Sequence, residues 1–211
     1  QTQPLHYLII WGLFVFIILT FALLAIHRLR SVPTRKPIVL TALLLPLIPF
    51  IIWSAITTLL DTNNLLRTFQ YISLQSWHIL PFLVILSTLV YIILMTSSKD
   101  SETNNLQEIT FPALLFLAGV GLTMVTELFY VMDLFGNRMN TVFKLYYQAW
   151  VMLAIGSACA LYFSQNYLLG LVRRWDKVRL AWAGLFSVIF AISLIYPLGA
   201  IASRVATRTN D

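Results

Sequence analysis

The chain has 211 residues, 59% of them hydrophobic and 10% charged, with mean hydropathy +0.83 and a formal net charge of +6. A soluble domain carries about 25% charged residues, so this balance excludes a water-soluble globule and describes an all-α, polytopic membrane protein. The basic excess flanks apolar runs, which makes membrane lipid headgroups and phosphates its partners and not nucleic acid, and a single cysteine, Cys159, excludes an internal disulfide or a cysteine-based metal cluster.

Lipid offers no partner for backbone N–H and C=O groups, so each long apolar run reads as a helix that satisfies them internally. About six transmembrane helices are expected, packed as one helical domain over residues 1–211. The first runs from Leu5 to Ile26 and ends in His27, Arg28 and Arg30. A turn from Ser31 to Lys36 carries Pro33, Arg35 and Lys36. The second run spans Ile38 to Leu60, where Pro46 and Pro49 each delete a backbone donor and predict a kink. Asp61 to Gln75 mixes Asn63, Asn64 and Arg67 with Leu65, Leu66, Phe69, Tyr71 and Ile72, the pattern of a short interfacial helix.

The third run spans Trp77 to Met95, with Pro81 near its start, and Ser97 to Glu108 is a solvated loop. The fourth begins near Ile109, carries Pro112 in its first turn, and passes Gly119 and Gly121, a thin place in the helix, to reach Tyr130. The fifth runs from Val142 to Leu171 and closes in Arg173, Arg174, Asp176, Lys177 and Arg179. The sixth covers Leu180 to Ile201 and contains Pro197.

Alternate connections fall on one side of a bundle, so basic residues can orient it. One set of connections holds Arg28, Arg30, Arg35, Lys36, Lys99, Arg173, Arg174, Lys177 and Arg179, nine of the fourteen Lys and Arg. The other holds Arg67, Arg138, Lys144, Arg204 and Arg208. Basic residues favour the cytoplasm, which puts the turn between the fourth and fifth runs on the outer face of a cell membrane.

That turn belongs to the stretch Thr126 to Trp150, TELFYVMDLFGNRMNTVFKLYYQAW, where Glu127, Asp133, Arg138 and Lys144 gather between two apolar runs. Thr123, Glu127 and Tyr130 recur at helical spacing and share one face, and Lys144, Tyr147 and Gln148 do so on the next helix. A carboxylate near hydrocarbon needs a polar cavity or a basic partner, and Arg138 and Lys144 are nearest in sequence. Gly136 and Asn137 suit a tight turn, and Asn140 or Thr141 suits a helix cap. A helix amino terminus beside Arg138 and Lys144 makes a phosphate receptor. The alternative is that these charges pair among themselves and pin the hairpin, with Tyr130, Tyr146, Tyr147 and Trp150 as an interfacial belt. The cofactor stays open. Glu127 and Asp133 offer oxygen ligands to a divalent metal ion, and His6, His27 and His78 leave pigment ligation open.

The segment ELFYVMDLFGNRMNTVFKLYYQAW resembles the hallmark stretch of the YYY membrane proteins, a prokaryotic family of uncharacterised function found in Chloroflexus-like bacteria and archaea. The places that match are Glu127, Tyr130, Asp133, Gly136, Arg138, Met139, Asn140, Thr141, Phe143, Lys144, Tyr147, Gln148 and Trp150. That family is related to the C-type glycosyltransferases, so the resemblance implies a transferase that takes a sugar from a polyprenyl-phosphate donor at the outer membrane face. It also implies roles. Glu127 or Asp133 is the catalytic carboxylate, Arg138 and Lys144 bind phosphate, and Tyr130, Asn140, Tyr147 and Gln148 complete the substrate site. The chain departs from the family pattern in that the tyrosine triplet that names the family and the early external loop that carries its catalytic acid are absent; members of that family are far longer, so the chain reads as the carboxy-terminal membrane portion of a longer protein. A non-catalytic subunit that packs against other subunits of a membrane complex is the competing expectation.

Overall fold

The computed structural model describes residues 4–60, 64–98, 107–129, 139–172 and 176–209. These form helices α1 (Pro4–Leu29), α2 (Lys36–Leu44), α3 (Ile48–Leu60), α4 (Leu65–Thr96), α5 (Gln107–Leu128), α6 (Met139–Val172) and α7 (Asp176–Thr209). The polytopic helical bundle expected from composition is what the chain forms. Five stretches of the described residues are long and apolar enough to cross a membrane: most of α1, α2 with α3, α4, α5 and the first part of α6. The apolar stretch of α7, Leu180–Ile195, is shorter.

Sequence chemistry accounts for the helix ends. His27 and Arg28 sit in the last turn of α1, where the dipole favours cations, and Pro33 turns Val32 away from helical geometry. The proline pair breaks the second crossing as expected. Pro46 and Pro49 cannot donate to the carbonyls of Ala42 and Leu45, and the backbone tightens into a 3₁₀ turn at Leu45–Leu47 between α2 and α3. Ser54, Thr57 and Thr58 on α3 donate back to the carbonyls of Phe50, Trp53 and Ser54, each at 2.8 Å, which keeps their hydroxyls satisfied in an apolar setting.

The third crossing departs from expectation. The interfacial helix and the span that begins at Trp77 are one continuous helix, α4, and Pro81 lies inside it, well beyond the first turn. Proline is tolerated there because neighbouring helices buttress the break. The carbonyl of Trp77 is left without its intrahelical donor.

The core runs between α1, α4, α5 and α6 and includes Trp11, Ile18, Ile79, Leu89, Phe116 and Leu153, all nearly inaccessible. Helices α5 and α6 pack most extensively, and two glycines explain how closely. A Cβ on Gly119 would stand 2.7 Å from the Leu153 side chain, and one on Gly156 would stand 3.0 Å from the Phe116 ring. Each helix thus inserts a large side chain where the other has none, the small-residue approach that membrane bundles use. Gly121 has open space around it, so of the thin pair expected in this helix only Gly119 makes the close approach. Helix α7 docks on α1 through Trp182, whose indole N–H donates to Thr20 Oγ1 at 3.1 Å while its ring stacks on Phe16 at 5.7 Å.

Two polar contacts join α4 to α5. At one end Thr110 donates to Thr96 at 2.8 Å, and at the other the Gln75 amide donates to the backbone carbonyl of Glu127 at 3.4 Å. At 1.5 Å of rise per residue they are roughly 25 Å apart along α5 and roughly 32 Å apart along α4, close to the thickness of a hydrocarbon core. Glu127 lies at the end of the apolar stretch of α5. The first ten residues of α4 continue roughly 15 Å past it.

Candidate functional site

Glu127 lies in the last turn of α5. A helix carboxyl end carries partial negative charge, so its own backbone gives a carboxylate there no help. Donors come from elsewhere. The Tyr146 hydroxyl on α6 donates to Glu127 Oε1 at 3.2 Å, and Gln75, 1% exposed, ties the Glu127 backbone to α4. One turn earlier on the same face, Thr123 donates to the Val120 carbonyl at 2.8 Å. Its proton is committed there, so the Tyr7 hydroxyl, 3.1 Å away on α1, is the donor in the Tyr7–Thr123 pair. Four helices thus meet at this corner.

An aromatic run fixes the tyrosines. Trp11 is 1% exposed and stands edge-on to Tyr146, with centroids 5.1 Å apart and planes at 78°. Tyr7 lies 6.1 Å from Trp11 and meets Phe82 of α4 edge-on at 5.1 Å. With its ring held this way, Tyr146 has its hydroxyl aimed at Glu127. The Trp11 indole N–H is buried and has no acceptor among the described residues.

Beside this corner a groove of about 390 Å³ opens between α1 and α4. It is lined by Tyr7, Leu8 and Val15 on one wall and by Trp77, His78, Pro81, Phe82 and Ile85 on the other, with Glu127 at its polar end. His78 Nδ1 is 3.0 Å from the Leu74 carbonyl. A carbonyl can only accept, so in the neutral ring Nδ1 carries the proton and Nε2 is left as an acceptor.

The residues singled out from sequence are distributed unevenly. Glu127 is half-buried in the corner just described. Tyr130, Asp133, Gly136, Asn137 and Arg138 lie outside the described residues. Asn140, Lys144, Tyr147 and Gln148 are all exposed on α6. The inward face of that helix is Tyr146, Ala149, Leu153, Gly156 and Ala160, and Lys144 points about 200° around the axis from Tyr146. The carboxylate meets a tyrosine hydroxyl, then, and the lysine occupies the opposite side of α6. Among the described residues no three His, Cys, Asp or Glu come together as a metal would require.

Four residues of the corner were not read from the sequence as parts of a site, namely Tyr7, Trp11, Gln75 and Tyr146. A signal existed for two of them. Gln75 falls on the buried stripe Thr68, Gln75, Ile79 and Leu86 of α4, where an amide needs a partner. Tyr146 falls on the stripe of small residues along α6.

Five stretches long and apolar enough to cross a membrane among the described residues, packed around a helical core, define a polytopic membrane protein. Within that class the chain belongs to the family described as Uncharacterized membrane protein (DUF2298), whose model matches residues 1–153. The matched part takes in α1 to α5, the corner and the inward face of α6 as far as Leu153. No curated protein and no solved structure matches the chain.

Proposed function

We propose that the chain is the membrane-embedded part of a glycosyltransferase that takes a sugar from a polyprenyl-phosphate donor at the outer face of the cell membrane. The observation that carries this reading is a carboxylate held at a membrane boundary by groups from other helices, Tyr146 on its oxygen and Gln75 on its backbone. Sugar transfer to a hydroxyl needs such a base, fixed in orientation and partly shielded from water. Glu127 takes that role, with Asp133, six residues on in the sequence, as the second carboxylate available to the acceptor or to a divalent metal ion.

Arg138, the residue that precedes α6 in the sequence, supplies the positive charge that a departing phosphate requires, and the helix amino terminus adds to it, while Lys144, on the far side of α6 from Tyr146, meets phosphate only at the level of the lipid headgroups. Tyr130, Asn140, Tyr147 and Gln148 orient sugar hydroxyls. The excess of basic residues in the opposite connections supports an outward-facing corner.

A second reading has its own support. Lys144 and Gln148 are exposed on α6, and polar groups on a membrane helix are costly unless protein or headgroups cover them. That face suits a structural subunit that docks on a larger assembly.

Transfer of labelled sugar from a polyprenyl-phosphate monosaccharide, measured in membranes containing the chain, separates the two. Glu127→Gln is expected to lower transfer about a hundredfold or more, the scale of a lost general base, while Arg138→Ala raises KM for the donor. Full transfer by Glu127→Gln would sink the catalytic role. A wild-type chain that transfers nothing but co-purifies with a partner through α6 supports the structural reading.

A further inference from the structure

We infer that the turn between α1 and α2, with the outward side of α2, is a binding site for an anionic phospholipid. Its phosphate sits at Lys36, an acyl chain follows Leu40 and Leu43, and Arg30 and Arg35 add to the positive field. The site lies at the end of the bundle opposite Glu127 and does not depend on sugar transfer.

The turn is a fixed platform. Leu29 and Val32 are 2% and 5% exposed within the core, and the Val32 N–H donates to the Leu29 carbonyl at 3.0 Å. Two residues on, the hydroxyls of Thr34 and Tyr91 stand 3.2 Å apart and tie the turn to α4. Pro33 and Pro37 restrict the backbone on both sides of that contact. Between these anchors Arg30, Arg35 and Lys36 are all exposed. A backbone already held in place has less order to lose when a ligand arrives.

Helix α2 carries the site into the membrane. Its inward side is Ile38 and Ala42, packed toward α4. Lys36, Leu40 and Leu43 recur at helical spacing and lie on the opposite side. With Pro37 and Val39 they line a shallow depression that runs about 10 Å from Lys36 into the crossing Lys36–Leu60. Acyl chains are what an outward side of a crossing helix meets, and Lys36 stands where such a chain joins its headgroup.

Charge decides which lipid. The first Asp or Glu in the chain is Asp61, so every ionised side chain before it is a cation. The connections on this side of the bundle hold nine Lys and Arg and four carboxylates, Asp100, Glu102, Glu108 and Asp176. Were each carboxylate to pair with a cation, five cations would still remain. Lys36 and Arg30 form no ion pair among the described residues. A phosphatidylcholine headgroup brings its own ammonium toward this field, whereas an anionic headgroup brings only the attracted charge.

The test is native mass spectrometry of the full chain in micelles that hold equal amounts of phosphatidylglycerol and phosphatidylcholine with the same acyl chains. Phosphatidylglycerol is expected to be retained in excess by on the order of tenfold or more, the combined effect of several basic residues at an anionic headgroup. Lys36→Ala is expected to lower that preference about fivefold, the share of one such residue, and Lys36→Arg to retain it. Lys177→Ala removes an exposed cation of α7 from the same side of the bundle and should leave the preference unchanged. Unaltered thermal unfolding of the variants in phosphatidylcholine alone verifies that they fold. Equal retention of the two lipids by the wild-type chain would overturn the site. An equal loss from Lys177→Ala would mean diffuse attraction over the whole face and would overturn it as well. Displacement of phosphatidylglycerol by millimolar inorganic phosphate would assign the cations to a soluble anion and overturn the lipid.

Discussion

Tyr146 shows how one hydroxyl can decide what a carboxylate does. Glu127 stands at a helix end that repels negative charge, and the tyrosine's donated hydrogen bond offsets part of that cost. Hydrogen bonds inside membrane bundles contribute about 0.6 kcal/mol on average in double-mutant cycles. A cycle of Tyr146→Phe and Glu127→Gln, read by thermal unfolding in micelles, is expected to give a coupling of about that size or somewhat more, since one partner is ionisable. A coupling of zero would mean that the two side chains meet without consequence. Trp11→Phe, which keeps an aromatic ring against Tyr146, tests whether the indole N–H matters apart from packing.

At the scale of helices, the α5–α6 pair carries the architecture. Gly156→Leu would drive a side chain into Phe116, with overpacking expected to cost about 1–3 kcal/mol and to lower the unfolding temperature by several degrees. Gly121→Leu, facing open space, should leave unfolding nearly unchanged in the same assay. The contrast explains how far the sequence could be read. Apolar length and proline chemistry predicted the helices and the break at Pro46 and Pro49, because both act within a few residues. They failed ahead of Trp77, where burial of Gln75 and Ile79 against neighbours carries α4 straight on from a stretch whose polar residues mark it as a separate interfacial helix. The candidate site divides in the same way. Glu127 stood out as a charge beside an apolar run, but its partners lie 19 and 52 residues away along the chain, and only packing brings them together. The expected neighbour, Lys144, was chosen by nearness in sequence. The small residues Ala149, Gly156 and Ala160 define the inward face of α6 and turn that lysine outward.

For the whole molecule, the two polar contacts between α4 and α5 form rungs about one hydrocarbon thickness apart. Stability measured in phosphatidylcholine bilayers of graded acyl length is expected to peak at a hydrocarbon thickness of about 30 Å and to fall on either side as the helices tilt or their ends are stranded. A flat dependence would mean that the rungs do not mark the membrane boundaries. Because the Gln75 rung includes the backbone of Glu127 itself, the carboxylate cannot adjust its depth independently of the bundle. A thicker leaflet submerges it and a thinner one bares it to water, so the surrounding membrane becomes a setting on the site, and the same chain moved between compartments of different lipid composition would present a different chemical face without any change in its own structure.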